Sequence, residues 1–207
     1  MSAEIEKRPY RKKQRAAEEE RTRRRITEAT VALHETVGPL RTTVKAVADR
    51  AGVQRATVYR HFADEAALYA ACRAHWLHRQ GPPDPAPWSQ IADPEERMRT
   101  ALAAMYRFYR EGEPMLVNLY RDEPHVQTLQ GMLQPMRAQL AAIRDLLLKG
   151  RSERGRRRAR VAAALGHAVD FEAWRSLARG GLVDEEIADL MVALVRAAAA
   201  SRGKLPA

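Results

Sequence analysis

The sequence predicts an all-α protein of about nine helices, with a three-helix unit at the N-terminus and a larger helical body after it. Alanine, leucine and arginine dominate the composition, and all three residues favour helix. Apolar residues recur every three or four positions along most of the chain, which is the period of an amphipathic helix. Glycine and proline separate these stretches, and none of them shows the alternation expected of a strand.

The chain begins with a basic segment. Residues 1–15 contain six Lys and Arg and almost no apolar side chains, which predicts a disordered arm. A first helix is expected from about residue 17 to residue 37, where Gly38 and the proline after it end the pattern. Within this helix we expect Glu19 to pair with Arg23, which lies four positions later.

Residues 42–62 contain two short helices joined by a sharp turn. Thr43 is the expected N-cap of the first helix, because its hydroxyl can accept a hydrogen bond from a free backbone N–H. Gly52 can adopt a positive φ and so permits a tight turn. Val58 anchors the second helix to the core, while residues 54–61 carry no acid. A basic helix face without acids is suited to a polyanion.

The positive charge of the chain is concentrated in the same region. The formal net charge is +10. Residues 1–62 contain 15 Lys and Arg against 8 Asp and Glu, whereas residues 63–207 contain 21 against 18. Most of the excess therefore lies around the two short helices, as electrostatic attraction to DNA phosphates requires.

Residues 26–68 resemble the N-terminal DNA-binding domain of TetR-family transcriptional regulators. The resemblance rests on the Ala-Gly-Val turn at residues 51–53, followed by the Thr-Val-Tyr-Arg-His-Phe run at residues 57–62. It implies a repressor that binds a palindromic double-stranded DNA operator as a homodimer and is released by a small effector, which the methionine and aromatic content of the C-terminal body predicts to be apolar or aromatic. The alternative is a TetR-like DNA-binding factor without ligand response, with a nucleoid-organising or division role.

The same resemblance implies a division of the chain into domains. After the arm at residues 1–15, a helix-turn-helix DNA-binding domain is expected over residues 16–63. A ligand-binding and dimerisation domain is expected over residues 64–207. The family dimerises through its last two long helices, and the residues expected at this interface are Leu165, Ala168, Ile187, Met191 and Leu194.

The second helix of a helix-turn-helix lies in the major groove with its first residues at the base edges. Arg55 is the candidate for sequence readout, because a guanidinium matches the O6 and N7 acceptors of guanine. The family commonly has a phosphate-binding lysine at the position of Glu65, so one phosphate contact is expected to be lost. The full set of expected DNA contacts is Thr43, Lys45, Gln54, Arg55, Ala56, Thr57, Tyr59, Arg60 and His61.

Six further helices are expected after residue 63. A proline-rich loop at residues 81–94 separates the first of them, which is the connecting helix, from the others. The expected ranges are 64–80, 94–111, a short helix from Pro114, a long one through 129–147, then 157–179 and 184–200. Methionine and aromatic residues of this body are candidates for an effector pocket, with ordinary core as the alternative for each: Trp88, Met98, Met105, Tyr106, Tyr109, Tyr120, Met132, Met136, Phe171 and Trp174.

No catalytic site, metal site or cofactor is expected. Cys72, His75 and His78 lie three positions apart on one helix, but their directions drift by about 60° per step at 3.6 residues per turn, so they do not converge on a metal. No apolar stretch reaches the 18 residues of a membrane span, and no signal peptide is recognisable. We therefore expect a cytoplasmic, nucleoid-associated protein. The single cysteine fits this expectation, because one cysteine forms no intramolecular disulfide and the cytosol is reducing.

Overall fold

The computed structural model describes the backbone of residues 3–200 and the side chains of residues 12–200. Its described part is all helical, which confirms the predicted fold class. Short 3-10 turns at Pro39–Arg41, Pro87–Gln90 and Glu123–His125 lie between some of the helices. The nine helices of this part are α1 Ala3–Thr36, α2 Val44–Ala51, α3 Arg55–His61, α4 Glu65–Gln80, α5 Pro94–Asp122, α6 Gln127–Leu147, α7 Gly155–Ala168, α8 Phe171–Arg179 and α9 Asp184–Ala200.

The chain forms two compact units. The first unit comprises Met1–Arg79 and Pro114–Met132, and the second comprises Gln80–Glu113 and Leu133–Ala207. Helices α5 and α6 therefore each contribute residues to both units. The domain boundary expected after residue 63 falls inside the first unit, which also contains α4 and the end of α5.

Helix α1 begins at Ala3, whereas the composition of residues 1–15 predicts a disordered arm. The residues of this segment are mostly Lys, Arg, Glu, Gln and Ala, which have high helix propensities, so a helix can extend here without an apolar face. Arg15 and Glu19 lie 3.7 Å apart as an i,i+4 pair along it. The side chains of residues 1–11, which include half of the arm's bases, lie outside the described residues.

Helix α5 passes through Pro114, where the sequence predicts the start of a new helix. A proline inside a helix removes one backbone hydrogen bond and crowds the preceding turn. The two residues that follow it, Met115 and Leu116, are buried, and this burial offsets the cost of the proline. The helix does end at Asp122, as the acidic and proline residues after it predict.

The helix expected over residues 157–179 is divided into α7 and α8. Asp170 lies between them and caps α8, because its carboxylate accepts a hydrogen bond from the backbone N–H of Ala173 at 2.9 Å. The number of helices agrees with the prediction, since this division offsets the merging of two expected helices into α5.

Each unit has its own apolar core. The first is built around fully or nearly fully buried residues of α1 to α4, namely Ile26, Val47, Val58, Phe62 and Leu68. The second is built around α5 to α9, with Leu102, Leu147, Leu165, Trp174 and Ile187 among its buried side chains. No helix of the described residues combines the length and the apolar character that crossing a bilayer needs.

Candidate DNA-binding surface

Helices α2 and α3 form the expected helix-turn-helix. The hydroxyl of Thr43 accepts a hydrogen bond from the backbone N–H of Ala46 at 3.1 Å, which confirms it as the N-cap of α2. Gly52 has φ 64° and ψ 42°, a left-handed conformation that L-residues with a side chain rarely adopt. The N–H of Val53 then bonds the carbonyl of Ala48 at 3.0 Å and closes the turn.

Four residues of α3 form one exposed face, which we call the outward face of α3: Arg55, Ala56, Tyr59 and Arg60. At about 100° per residue these positions cover about 140° of the helix circumference. Val58 lies on the opposite side and is buried, so the burial of one apolar residue determines which side chains face solvent. Tyr59 is 56% exposed, an unusual position for a large aromatic ring.

The other expected DNA contacts lie outside this face, and several of them are half-buried or already paired. Thr57 and His61 are half-buried, and the Nε2 atom of His61 is enclosed without a hydrogen-bond partner. Gln54 is exposed at the N-cap of α3 but makes no side-chain cap bond. The ammonium of Lys45 lies 2.7 Å from the carboxylate of Asp49 on the same helix. The structure thus brings four of the nine residues together on one open face.

Two arginines of α1 bond backbone carbonyls at the end of α3 and in the turn before it, and neither role was predicted from the sequence. The guanidinium of Arg23 donates to the carbonyl of His61 at 2.6 Å and stacks over the ring of Phe62, 4.2 Å from its centroid. Arg25 donates to the carbonyl of Gly52 at 3.3 Å. The expected partner of Arg23, Glu19, instead lies beside Arg15. The last carbonyls of a short helix have no intrahelical N–H partner and need other donors. This need is the signal in the sequence that could have pointed to an arginine such as Arg23.

A cavity of about 240 Å³ opens among α2, α3 and α4 in the first unit. Thr43 and Tyr59, two of the expected DNA contacts, line it together with the acids Asp64 and Glu65. Glu65 accepts a hydrogen bond from the hydroxyl of Thr128 at 3.1 Å.

The ring of Tyr69 is buried beside this cavity. Burial raises the pKa of its phenol, and the charge of Glu65 and a hydrogen bond to it raise that pKa further. The phenol is therefore neutral at pH 7.

Side chains at the end of α5 form hydrogen bonds to the backbone at the end of α1 within the same unit. The side-chain amide of Asn118 is buried and donates to the carbonyls of His34 at 2.8 Å and Glu35 at 3.0 Å. These carbonyls belong to the last turn of α1, where no intrahelical N–H is available to them. Asn118 therefore satisfies backbone groups that would otherwise be unpaired.

Two neighbouring charged residues complete this contact. Arg121 donates to the carbonyl of Val37 at 3.0 Å, and Asp122 accepts from the backbone N–H of Leu40 at 3.0 Å. The side chains of Arg121 and Asp122 also fill the space where a side chain at Gly38 would lie, and Gly38 has φ 89°. We call Asn118, Arg121 and Asp122 the α5 clamp.

His34 is enclosed beside the α5 clamp. It is 2% exposed, its Nε2 atom has no hydrogen-bond partner, and its ring meets that of Tyr69 edge-on at 5.0 Å. Burial lowers the pKa of the imidazole to about 4, although the charge of Asp122 acts in the opposite direction. His34 is therefore neutral at pH 7.

Most of the expected effector-pocket residues lie in the packed core of the second unit. Tyr109 and Phe171 meet edge-on at 5.4 Å, and Trp174 lies 5.7 Å from Phe171. The hydroxyl of Tyr109 donates to the carbonyl of Val169 at 2.6 Å, and that of Tyr106 donates to Ala168 at 2.8 Å, both at the end of α7. Trp88, Met98 and Met105 are also buried and Met136 is half-buried, while Tyr120 and Met132, both half-buried, belong to the first unit.

Asp184 joins three helices in this unit. It forms a bidentate ion pair with Arg110 of α5, with N–O distances of 2.6–3.1 Å, and accepts from the indole N–H of Trp174 in α8 at 3.0 Å. Burial alone would raise the pKa of Asp184, but the hydrogen bonds from Arg110 and Trp174 outweigh it and lower this pKa. The carboxylate is therefore ionised and fixes the start of α9.

The residues expected at a dimer interface need correction. Leu165, Ala168, Ile187 and Met191 are at most 4% exposed, because they form the side of α7 and α9 that faces the chain's own core. Only Leu194 is on the surface, at 42%. It belongs to an exposed apolar stripe at i, i+3, i+4 and i+7 that we call the α9 stripe: Leu190, Ala193, Leu194 and Ala197.

The thiol and imidazoles considered for a metal site are not arranged as ligands. Cys72 is buried with its Sγ 3.8 Å from the carbonyl of Thr27, and burial raises its pKa to about 12. His78 on the same helix is exposed. Among the residues that the structure describes, no group of three or more His, Cys, Asp and Glu is placed to hold a metal ion.

Comparisons with known proteins agree with this geometry. Residues 26–72 match the family model of the bacterial regulatory proteins of the tetR family. A TetR-like transcriptional regulator from Rhodococcus sp. RHA1 has the same fold, with a TM-score of 0.65 and 22% identity over 87% of this chain and 97% of that one. No curated protein matches the chain by sequence.

Two further structures share the fold at 16% identity. A candidate fatty acid metabolism regulator from Clostridium perfringens has a TM-score of 0.60 over 83% of this chain and 96% of that one. A TetR transcription regulator from Haloarcula marismortui has a TM-score of 0.57 over 86% of this chain and 96% of that one. At these identities the similarity establishes the fold.

Proposed function

We propose that this chain, which carries a TetR-family DNA-binding domain and has the fold of TetR-like regulators, is a sequence-specific transcriptional repressor acting in the cytoplasm on the nucleoid. The observation that carries the proposal is the outward face of α3, which presents two arginines and an exposed tyrosine and no acid. A helix of this kind, preceded by a tight glycine turn, fits the major groove.

The residues of the outward face have separable roles. Arg55 lies in the first turn of α3, where a side chain reaches base edges, and its guanidinium can make a bidentate contact with guanine worth about 1–3 kcal/mol of discrimination. Tyr59 and Arg60 lie one turn later and suit phosphate contacts, which position the protein without specifying sequence. The hydroxyl of Thr43 at the start of α2 also suits a phosphate contact.

The repressor acts as a homodimer in this proposal. A single seven-residue helix reads only a few bases, whereas two copies related by a two-fold axis read both halves of a palindrome. The α9 stripe is the surface that suits this contact, because Leu190 and Leu194 are 45% and 42% exposed and the two alanines of the stripe allow close approach of a second helix.

A small apolar or aromatic effector would release the repressor from DNA. The region proposed to receive it is the second unit, where Met98, Met105, Met136 and aromatic residues supply an adaptable apolar lining. Binding there has to displace packed side chains, so the effector must bind one conformational state better than another. A coupling of about 1–3 kcal/mol would lower operator affinity by about 5- to 150-fold.

The deciding experiment is selection of bound DNA from a random library, followed by mapping of binding sites across the genome. A palindromic sequence at a small number of promoters supports the repressor. Many dispersed sites would favour the constitutive, DNA-organising alternative, and the absence of any selected sequence would refute sequence-specific binding.

Ligand response is tested separately. Apolar metabolites and drugs are screened by thermal shift, and each stabilising compound is then tested for release of the selected DNA. Compounds that bind tightly and leave DNA affinity unchanged would exclude the effector mechanism at their site.

A further inference from the structure

Negative charge lies unexpectedly close to the groups proposed to contact DNA. The cavity among α2, α3 and α4 is lined by Thr43 and Tyr59, the expected phosphate contacts, and also by Asp64 and Glu65. No Lys, Arg or His lines it. Groups around one cavity of about 240 Å³ lie within roughly a Debye length of each other, about 8–10 Å at physiological salt, so this charge is not fully screened from a bound phosphate.

The two acids differ in how their charge is used. The carboxylate of Asp64 accepts a hydrogen bond from the backbone N–H of Ala67 at 2.7 Å and so caps the first turn of α4. The partial positive charge of the helix N-terminus offsets its charge. Glu65 lies in the same first turn, but its carboxylate is exposed and is bonded by the neutral hydroxyl of Thr128 rather than by a backbone N–H.

The hydroxyl of Thr128 holds the Glu65 carboxylate in place. Thr128, the second residue of α6, donates to it at 3.1 Å, and the buried ring of Tyr69 lines the same cavity. A hydroxyl carries no positive charge, so it fixes the position of the carboxylate without neutralising it. Thr128, Tyr69 and Glu65 all belong to the first unit.

We propose that Glu65 lowers the affinity of this chain for DNA, and that Thr128 at the start of α6 holds the carboxylate where it does so. The inference rests on the proposed DNA-binding function. A phosphate at Thr43 and Tyr59 meets the fixed negative charge of Glu65, and repulsion between like charges opposes binding. Because phosphates are the same at every site, the effect is independent of sequence.

The arrangement makes DNA affinity depend on a residue outside the helix-turn-helix. Without the Thr128 hydroxyl, the Glu65 side chain can rotate into solvent and away from the phosphate. The start of α6 thus sets how strongly the negative charge of Glu65 opposes DNA binding.

The test compares Glu65→Gln with the wild-type full-length protein on its selected operator and on random DNA. The amide keeps the length and the hydrogen-bond acceptor but removes the charge. We expect the affinity for both DNAs to rise by the same factor, about two- to fivefold at physiological salt. Glu65→Lys should raise both further and steepen the salt dependence by about one unit of slope.

Glu96→Gln is the matched control, because it removes one negative charge from an exposed position in the second unit. It should leave both affinities at the wild-type value. An equal gain from Glu96→Gln would mean that net charge alone acts, and would overturn the role of Glu65. Unchanged or weaker DNA binding by Glu65→Gln would also overturn it, whether or not thermal stability falls.

The role of Thr128 is tested by Thr128→Val, alone and together with Glu65→Gln. We expect Thr128→Val alone to give a gain smaller than that of Glu65→Gln, and no further gain in the double variant. If Thr128→Val raises DNA affinity equally in the wild-type protein and in Glu65→Gln, or does not raise it at all, then Thr128 does not act through Glu65.

Other outcomes separate this inference from the proposed function. If the wild-type protein selects no DNA sequence, the proposed function fails. If it selects one, Arg55→Ala relaxes that sequence and Glu65→Gln does not tighten binding, then only the role of Glu65 fails.

Discussion

The guanidinium of Arg23 donates a hydrogen bond of 2.6 Å to the carbonyl oxygen of His61, so a side chain of α1 holds the last residue of α3. Helix α3 has only seven residues, and a helix of this length is not stable by its own hydrogen bonds. The same guanidinium stacks on Phe62, the C-cap of α3. The direction of the outward face of α3 therefore depends on α1.

Replacement of Arg23 by Met should weaken binding to the operator and to random DNA alike. The substitution keeps an apolar chain over Phe62 but removes the donor to His61, and a hydrogen bond from a charged group contributes about 1.5–3 kcal/mol. Gel-shift titration gives the affinity, and thermal unfolding should show a lower Tm. Arg24→Met, at the exposed neighbouring position, removes the same charge. Equal losses in the two variants would contradict a positioning role for Arg23.

Arg55 and Tyr59 should respond differently to substitution. Arg55→Ala should cost about 1–3 kcal/mol on the operator and relax the preference at one base position, because it removes base readout. Tyr59→Phe should weaken all sequences nearly alike, because it removes only a hydroxyl suited to phosphate. Repeating the DNA selection with each variant separates the two. An unchanged selected sequence for Arg55→Ala would assign that arginine to phosphate instead.

Leu194→Glu should convert a dimer into monomers and weaken operator binding strongly, because it places a charge in the middle of the α9 stripe. Light scattering at micromolar concentration measures the molecular mass. Leu40→Glu is the matched control, since Leu40 is 52% exposed and lies in the first unit. A wild-type protein that is monomeric under these conditions would rule out the dimer, and a dimeric Leu194→Glu variant would rule out this surface.

The stability of the protein should fall as the pH decreases from about 6.5 towards 4, in part because of His34. The pKa of His34 is about 4 in the folded protein, below its ordinary value of 6.5, so the unfolded chain binds more protons within this window. Protonation therefore favours unfolding, by at most about 3 kcal/mol for a shift of this size.

Urea denaturation at a series of pH values checks this expectation. His34→Gln should show a smaller loss of stability between pH 6.5 and 4 than the wild-type protein. His78→Gln, at an exposed site, should keep the wild-type profile. Coincident profiles for His34→Gln and the wild-type protein would show that the buried imidazole does not govern the acid response.

The sequence by itself determined the elements that depend on local chemistry. The all-α class followed from composition and helical periodicity, and the Thr43 cap and the Gly52 turn followed from what a hydroxyl and a residue without Cβ can do locally. The basic, acid-free character of α3 was also visible in the sequence. These features need only neighbouring residues to be interpreted.

Only the tertiary structure showed the positions at which packing overrules the local preference of the sequence. Pro114 lies inside α5 because buried neighbours offset its cost, and Asp170 ends a periodic stretch that reads as one helix. Apolar periodicity marked the sides of α7 and α9 that face the chain's own core, so it could not identify the surface left for a partner.

Contacts between residues distant in sequence also depend on the fold and could not be predicted from the sequence. Arg23 and His61, Asn118 and His34, and Thr128 and Glu65 meet because the packed helices bring them together. An arginine, an amide or a hydroxyl has many possible partners. Its neighbours in the sequence do not indicate which backbone carbonyl or carboxylate will lack a hydrogen-bond donor in the fold. The burial of the backbone carbonyls, which makes an unpaired state costly, exists only in the folded chain.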